Sequence, residues 1–298
     1  MQSTIKKPEE YGRRKPPMNA GKQTRIVIRY LILSAVAFIM LYPILWLFGA
    51  SFKTNAEIFT SIGFIPNNWD FSSFVNGWNT GTGFTFTTFF INSFQIVIPR
   101  VFFTLISCTL VAYGFARFNF FMKKPLFALL ISTLFLPAAV TRIPMYLMFR
   151  DMGFLNTYVP LIVGTVFAQE AFFIFLLVQF FRGIPKEFDE AATVDGCGSF
   201  QILIRILVPL LKPVLITVAL FQFIWSFNNF FEPLIYISST ARLPVSVALR
   251  LSMDMTTGVT PWSQMIAMSL IGLVPSILVF FSAQRYFVEG INAGGLKG

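Results

Sequence analysis

The sequence predicts an all-α, polytopic membrane protein with six transmembrane helices and both termini in the cytoplasm. Three observations lead there. Hydrophobic residues make up 55% of the chain and charged residues only 12%, against about 25% charged in soluble domains. Six apolar stretches approach or exceed the ~20 residues that a helix needs to cross a hydrocarbon core. Lys and Arg collect in the connections on one side, as they do in cytoplasmic loops.

The spans fall at about 26–50, 90–116, 125–149, 158–181, 214–237 and 264–287. Pro43, Pro99 and Pro137 lie inside three of them and predict kinks, which bundles tolerate when neighbours satisfy the freed carbonyls. Residues 1–25 form a basic tail with seven cations between Lys6 and Arg25, and residues 26–298 form the membrane domain. The connection between spans two and three carries Arg117, Lys123 and Lys124. The one between spans four and five carries Arg182, Lys186, Arg205 and Lys212. The other side has Lys53, Arg142, Arg150, Arg242 and Arg250. The net charge of +10 is thereby a topology signal, and nucleic acid is excluded as a partner. The first apolar run follows a long polar lead and no small-residue cleavage site follows it, so it reads as a retained span.

The chain has no His, which excludes metal sites and general bases built on imidazole. Its two cysteines, Cys108 and Cys197, share no metal-ligand spacing and read as free thiols, one in a span and one in a cytoplasmic loop. Residues 52–89 and 238–263 are long outer segments, the first rich in Thr, Gly, Asn and aromatics. They read equally as connectors with interfacial anchors or as a surface for an external partner.

Residues 187–197, EFDEAATVDGC, interrupt this apolar background inside the loop at 185–213. Pro185 suits a first helical turn, and Glu187 and Asp189 suit the positive end of a helix. Gly196 and Gly198 can end it. Ser199 can cap a second short helix, FQILIRIL, that stops at Pro209 and Pro213. Phe188, Ala191, Ala192 and Asp195 recur at helical spacing and share one face, with Glu190 at its border. A helix this short is marginal alone in water. It reads as a docking helix for a cytoplasmic protein, or as a solvated loop helix.

The order Glu190-Ala191-Ala192, three residues, Gly196, nine residues, then Ile206-Leu207-Val208-Pro209 resembles the EAA loop of ATP-binding-cassette importer permeases. That signature ends Ile-any-Leu-Pro, so Val208 is a conservative departure. The ending QRYFVEGINAGGLKG, with YPILWLFGASFKTNAEIF after the first span and FNNFFEPLIYI in the fifth, resembles the smaller permease of maltose-type sugar importers. The likeness runs from about residue 26 to the end.

This resemblance implies a type I importer permease fold and half of a translocation pore. It implies a second related permease, two copies of an ATPase subunit, an external solute-binding protein and a sugar substrate. By matching positions, Glu190, Ala191, Ala192, Asp195 and Gly196 would couple the permease to the ATPase. The tail at 288–298 would contact the ATPase through Gly290, Gly294, Gly295, Lys297 and Gly298. ATP and Mg would be bound by the ATPase, since this chain has no G-x-x-x-x-G-K-[ST] loop. It would therefore be a transporter component without a catalytic site or cofactor of its own.

In the fifth span Gln222, Trp225, Asn229, Glu232 and Tyr236 follow steps of three and four, which places them on one face of a helix. Amides and aromatics suit a sugar, and the same residues suit hydrogen bonding between helices. Asn92, Gln95, Gln169 and Glu170 are further polar positions in spans. Arg100 and Arg142 are expected to snorkel or pair, Glu170 being one available carboxylate. The competing functions are a permease of this kind for a non-sugar solute, an ion-driven secondary transporter, and a membrane-embedded enzyme. No ionisable relay, inverted repeat or nucleophile motif supports the last two.

Overall fold

The computed structural model describes residues 20–79, 83–254 and 261–295. These residues are helical almost throughout, and their one β-bridge joins Asn79 to Thr85. The first span is α1 (Ala20–Ala50). Two short outer helices follow, α2 (Asn55–Thr60) and α3 (Ser72–Trp78), then the second span α4 (Phe86–Arg117). Pro43 and Pro99 sit within α1 and α4 without ending either helix.

Pro137 acts more strongly. The third predicted span is divided into α5 (Lys123–Thr133) and α6 (Ala138–Asp151), with Pro137 at the N-cap of α6. A proline disfavours helical backbone in the residue before it and has no N–H to donate, so one helix ends and another begins. The fourth span joins α7 (Val159–Val166) and α8 (Ala171–Gly183) across a short turn in which Ala168 has φ of 54°.

The acidic stretch forms α9 (Glu187–Val194). Lys186 is its N-cap, so Pro185 lies just outside the helix instead of in its first turn. At the other end Gly196, with φ of 81°, makes the left-handed turn that glycine permits. The Gly196 and Cys197 N–H groups close back on the Thr193 and Ala192 carbonyls at 3.0 and 2.9 Å.

The next helix begins at α10 (Ser199–Ile202), where the structure corrects the sequence in two ways. Gly198, not Ser199, is the N-cap, and its N–H donates to Gln201 Oε1 at 3.1 Å. Pro209 does not stop the helix either. A π-helical segment (Leu203–Leu207) widens the coil ahead of it, with Val208 N–H donating to the Leu203 carbonyl, and α11 (Val208–Leu210) continues through the proline. Leu203 and Leu207 are almost wholly buried, so packing holds the widened turn. The chain then bends by 79° into α12 (Lys212–Phe227), with Pro213 in the first turn.

The fifth span is also broken. Helix α12 ends at Phe227 and α13 (Phe231–Tyr236) restarts three residues later. Helix α14 (Val245–Asp254) lies in the outer segment, and α15 (Trp262–Gly295) is the sixth span. By length and composition, residues 24–50, 86–117, 159–183 and 262–286 can each cross a membrane. The bent pair Ser199–Leu210 and Lys212–Phe227 would make a fifth. The difference from six continuous spans is the division of the third and fifth runs.

Helix α4 is the central post, packed against α7, α8 and α12, while α15 packs on α12 and α3. Two apolar clusters fill the interior. One joins Cys108 and Ala112 to Phe173, Leu177 and Phe181, and reaches Ala192, Leu203 and Leu207 of the loop. The other joins Phe86, Ile96, Leu161, Tyr236, Val245 and Met268 near the opposite end. Much of α1 is exposed apolar surface, which suits lipid or another subunit.

Candidate functional site

Two regions combine charge with accessible space. The first is the acidic loop. Asp189 turns inward and pairs with Arg117 at the end of α4, 2.7 Å away, with the side chains 21% and 7% exposed. Arg117 also donates to the Ile184 carbonyl at 3.1 Å, and Tyr113 Oη donates to the Ser199 carbonyl at 3.0 Å. These contacts fasten both arms of the loop to one span. Ala192 is buried in the apolar cluster. Of the residues assigned to the docking face, it therefore packs mainly inward, because an alanine is small enough to let α9 approach the bundle.

The rest of that face is accessible. Glu187, Phe188, Ala191 and Asp195, with Cys197 and Ile206, line an open groove of about 440 Å³, with Ala192 at its floor. Phe188 is 49% exposed and supplies the groove with an accessible aromatic face. Glu190 is exposed just beside the groove, and Gly196 forms the turn at its end. Cys108 is buried and Cys197 partly buried, and both are free thiols.

The tail residues are placed in part. Helix α15 continues the sixth span through Gly290, Gly294 and Gly295, so that portion of the expected tail is an extension of the span. Lys297 and Gly298 lie outside the described residues.

The second region is an ionic cluster between broken spans. Arg100 of α4 approaches Glu232 Oε2 at 2.9 Å and Glu170 Oε1 at 3.6 Å. Glu170 sits at the break before α8, and Glu232 just after the break before α13. Asn229 completes the arrangement: its Nδ2 donates to Glu232 Oε2 at 2.6 Å, and its Oδ1 accepts from Glu232 N–H at 3.3 Å. A cavity of about 160 Å³ opens beside the cluster. Its polar lining includes Arg100, Arg142, Thr165, Gln169, Glu232 and Tyr236.

The predicted polar stripe does not survive as one helical face, because the break at residues 228–230 resets the register. Gln222 is 1% exposed and donates to Ser226 Oγ at 3.3 Å. Trp225 is 47% exposed and stacks on Phe173 with centroids 5.1 Å apart. Asn229, Glu232 and Tyr236 collect near Arg100, Tyr236 packing against Tyr146 and Phe149. Asn92 is a tether: its Nδ2 donates to the Ala241 and Leu243 carbonyls at 2.8 and 3.0 Å. Gln95 is exposed.

Sequence reasoning left open which carboxylates Arg100 would meet and missed the Arg117–Asp189 pair. Its one usable signal was the rarity of charge in these segments.

A family model described as "Binding-protein-dependent transport system inner membrane component" matches residues 106–292. The chain is 31% identical over 278 residues to the probable ABC transporter permease protein YurM of Bacillus subtilis, covering 93% of this chain and 89% of that protein. It is 31% identical to the arabinooligosaccharides transport system permease protein AraQ of Halalkalibacterium halodurans, covering 88% and 93%. A solved bacterial ABC transporter involved in the import of the acidic polysaccharide alginate has a chain that superposes with a TM-score of 0.79 at 25% identity. That match covers 92% of this chain and 100% of the other.

Proposed function

The chain belongs to the family of binding-protein-dependent transport system inner membrane components, and from that premise we propose how it works. It is a multi-pass permease subunit of an ATP-binding-cassette importer and not an enzyme. Its cargo is a sugar or oligosaccharide, as relatives named for arabinooligosaccharides, diacetylchitobiose and galactooligosaccharides suggest. An ATPase and a solute-binding protein go with this family. A second related permease and a dimeric ATPase that binds ATP and Mg complete the assembly in our reading.

The observation that carries the coupling mechanism is the way α9 is held. Asp189 and Ala192 fix it to the bundle, while Glu187, Phe188, Ala191 and Asp195 border an open groove with Glu190 beside it. A helix bound to the spans on one side and free on the other can carry movement between an ATPase and the membrane. ATP drives the change if it favours the closed ATPase, because only differential affinity shifts a conformational equilibrium. The end of α15, with Gly290, Gly294 and Gly295, supplies a second contact, extended by Lys297 and Gly298.

Reconstitution tests this reading. The assembled transporter in proteoliposomes, with its binding protein outside, is expected to accumulate sugar when ATP is inside and to continue when ionophores collapse ion gradients. Uptake without ATP that stops with the ionophore would contradict it.

A further inference from the structure

The cavity beside Arg100 contains two cations in different situations. Arg100 is shared between Glu170 and Glu232, so its charge is already matched. Glu232 is engaged through Oε2, by Arg100 and by Asn229, which leaves Oε1 as an acceptor. Arg142, on α6, makes no ion pair or hydrogen bond among the described residues. Its guanidinium lies over the Phe231 ring, 4.3 Å from the centroid.

A cation–π contact consumes no N–H donor, so those of Arg142 stay available, and two neighbouring N–H groups of a guanidinium match the two oxygens of a carboxylate. The ring contact fixes where the guanidinium sits, which lowers the entropic cost of binding a carboxylate there. The surroundings suit the remainder of a sugar acid. Gln169 and Glu232 offer a donor and acceptors to hydroxyls, and Tyr236 offers an aromatic wall. At about 160 Å³ the cavity holds several waters, each needing roughly 10–15 Å³ by the same measure, and so has room for one sugar ring.

We propose that this cavity is a subsite for an acidic glycosyl unit, a uronate whose carboxylate binds Arg142 while its hydroxyls meet Gln169 and Glu232. The inference rests on the importer reading above and gives its cargo a chemical class. It also places substrate contacts within this subunit.

The test is equilibrium binding to the purified, assembled transporter with a matched pair of probes, digalacturonate and the neutral galactobiose. Wild type is expected to bind digalacturonate at least tenfold more tightly. Arg142→Gln should abolish that preference and leave galactobiose binding within twofold, and Arg142→Lys should keep part of it. Equal affinities in wild type, or an equal loss of both probes in Arg142→Gln, would overturn the proposal. The wild-type comparison stands even if a variant fails to assemble. If no ATPase subunit is present in the purified protein, the importer reading itself has failed. If the assembly is intact but indifferent to the carboxylate, only the acidic subsite has.

Discussion

Asp189 of the acidic helix and Arg117 at the end of the second span approach to 2.7 Å, and this pair turns a short surface helix into part of the bundle. Helix α9 has eight residues, too few to persist alone in water. Its order comes from this ion pair, the burial of Ala192 and the glycine turn at Gly196. Arg117→Gln leaves Asp189 largely enclosed without its cation, at a cost on the order of 2 kcal/mol. The expected outcome is greater hydrogen exchange across residues 187–197 and weaker retention of the ATPase. Asp189→Asn instead leaves the more deeply buried Arg117 cation with only the Ile184 carbonyl, and should loosen the same segment at least as much.

The two thiols should report the same surface. Cys197 borders the groove and Cys108 is buried. A polar maleimide is expected to label Cys197 slowly and leave Cys108 untouched in the isolated subunit, since thiol reaction requires access. Bound ATPase should protect Cys197. Unchanged labelling of Cys197 in the full assembly would place the docking surface elsewhere.

The Arg100 cluster is predicted to behave as a unit. Arg100→Gln leaves Glu170 and Glu232 without their shared cation, an expected loss of about 3 kcal/mol, read as a lower unfolding temperature in detergent. Adding Glu170→Gln and Glu232→Gln should recover most of it, because the penalty lies in the orphaned charges and the effects of neighbouring residues are non-additive.

Much of the architecture was legible in the sequence because membrane insertion imposes a coarse rule. Long apolar runs become helices, and Gly196 at the end of an acidic run predicts its own turn. The breaks were less legible. Pro43 and Pro99 lie within continuous helices while Pro137 separates two, and local sequence does not distinguish these cases, since neighbours decide which freed carbonyls are satisfied. The polar stripe failed for a similar reason. Helical spacing from Gln222 to Tyr236 assumes one uninterrupted helix, and the break at 228–230 removes that assumption. The pairing of Arg100 with Glu232 spans more than a hundred residues and is set by packing of α4 against the later helices.

Lys53 gives a prediction for the outer face. It is fully buried, and its Nζ donates to the Ser61 carbonyl at 3.3 Å and to the Gly63 carbonyl. A charge so enclosed needs such acceptors. Lys53→Met should release these carbonyls at a cost of roughly 1–3 kcal/mol. The measurable consequence is faster proteolysis of residues 52–70 from outside, with ATPase binding unchanged.

The central claim is that the exposed rim of α9 is where the ATPase attaches, and Glu190 tests it most directly. Its side chain is exposed beside the groove, so Glu190→Lys should change stability by no more than about 0.5 kcal/mol. The measurement is the ATPase-to-permease ratio after gentle purification of the tagged chain made alongside its partners. The account predicts that wild type retains the ATPase and that Glu190→Lys loses it selectively while keeping the second permease. Full retention of the ATPase by the variant would contradict it.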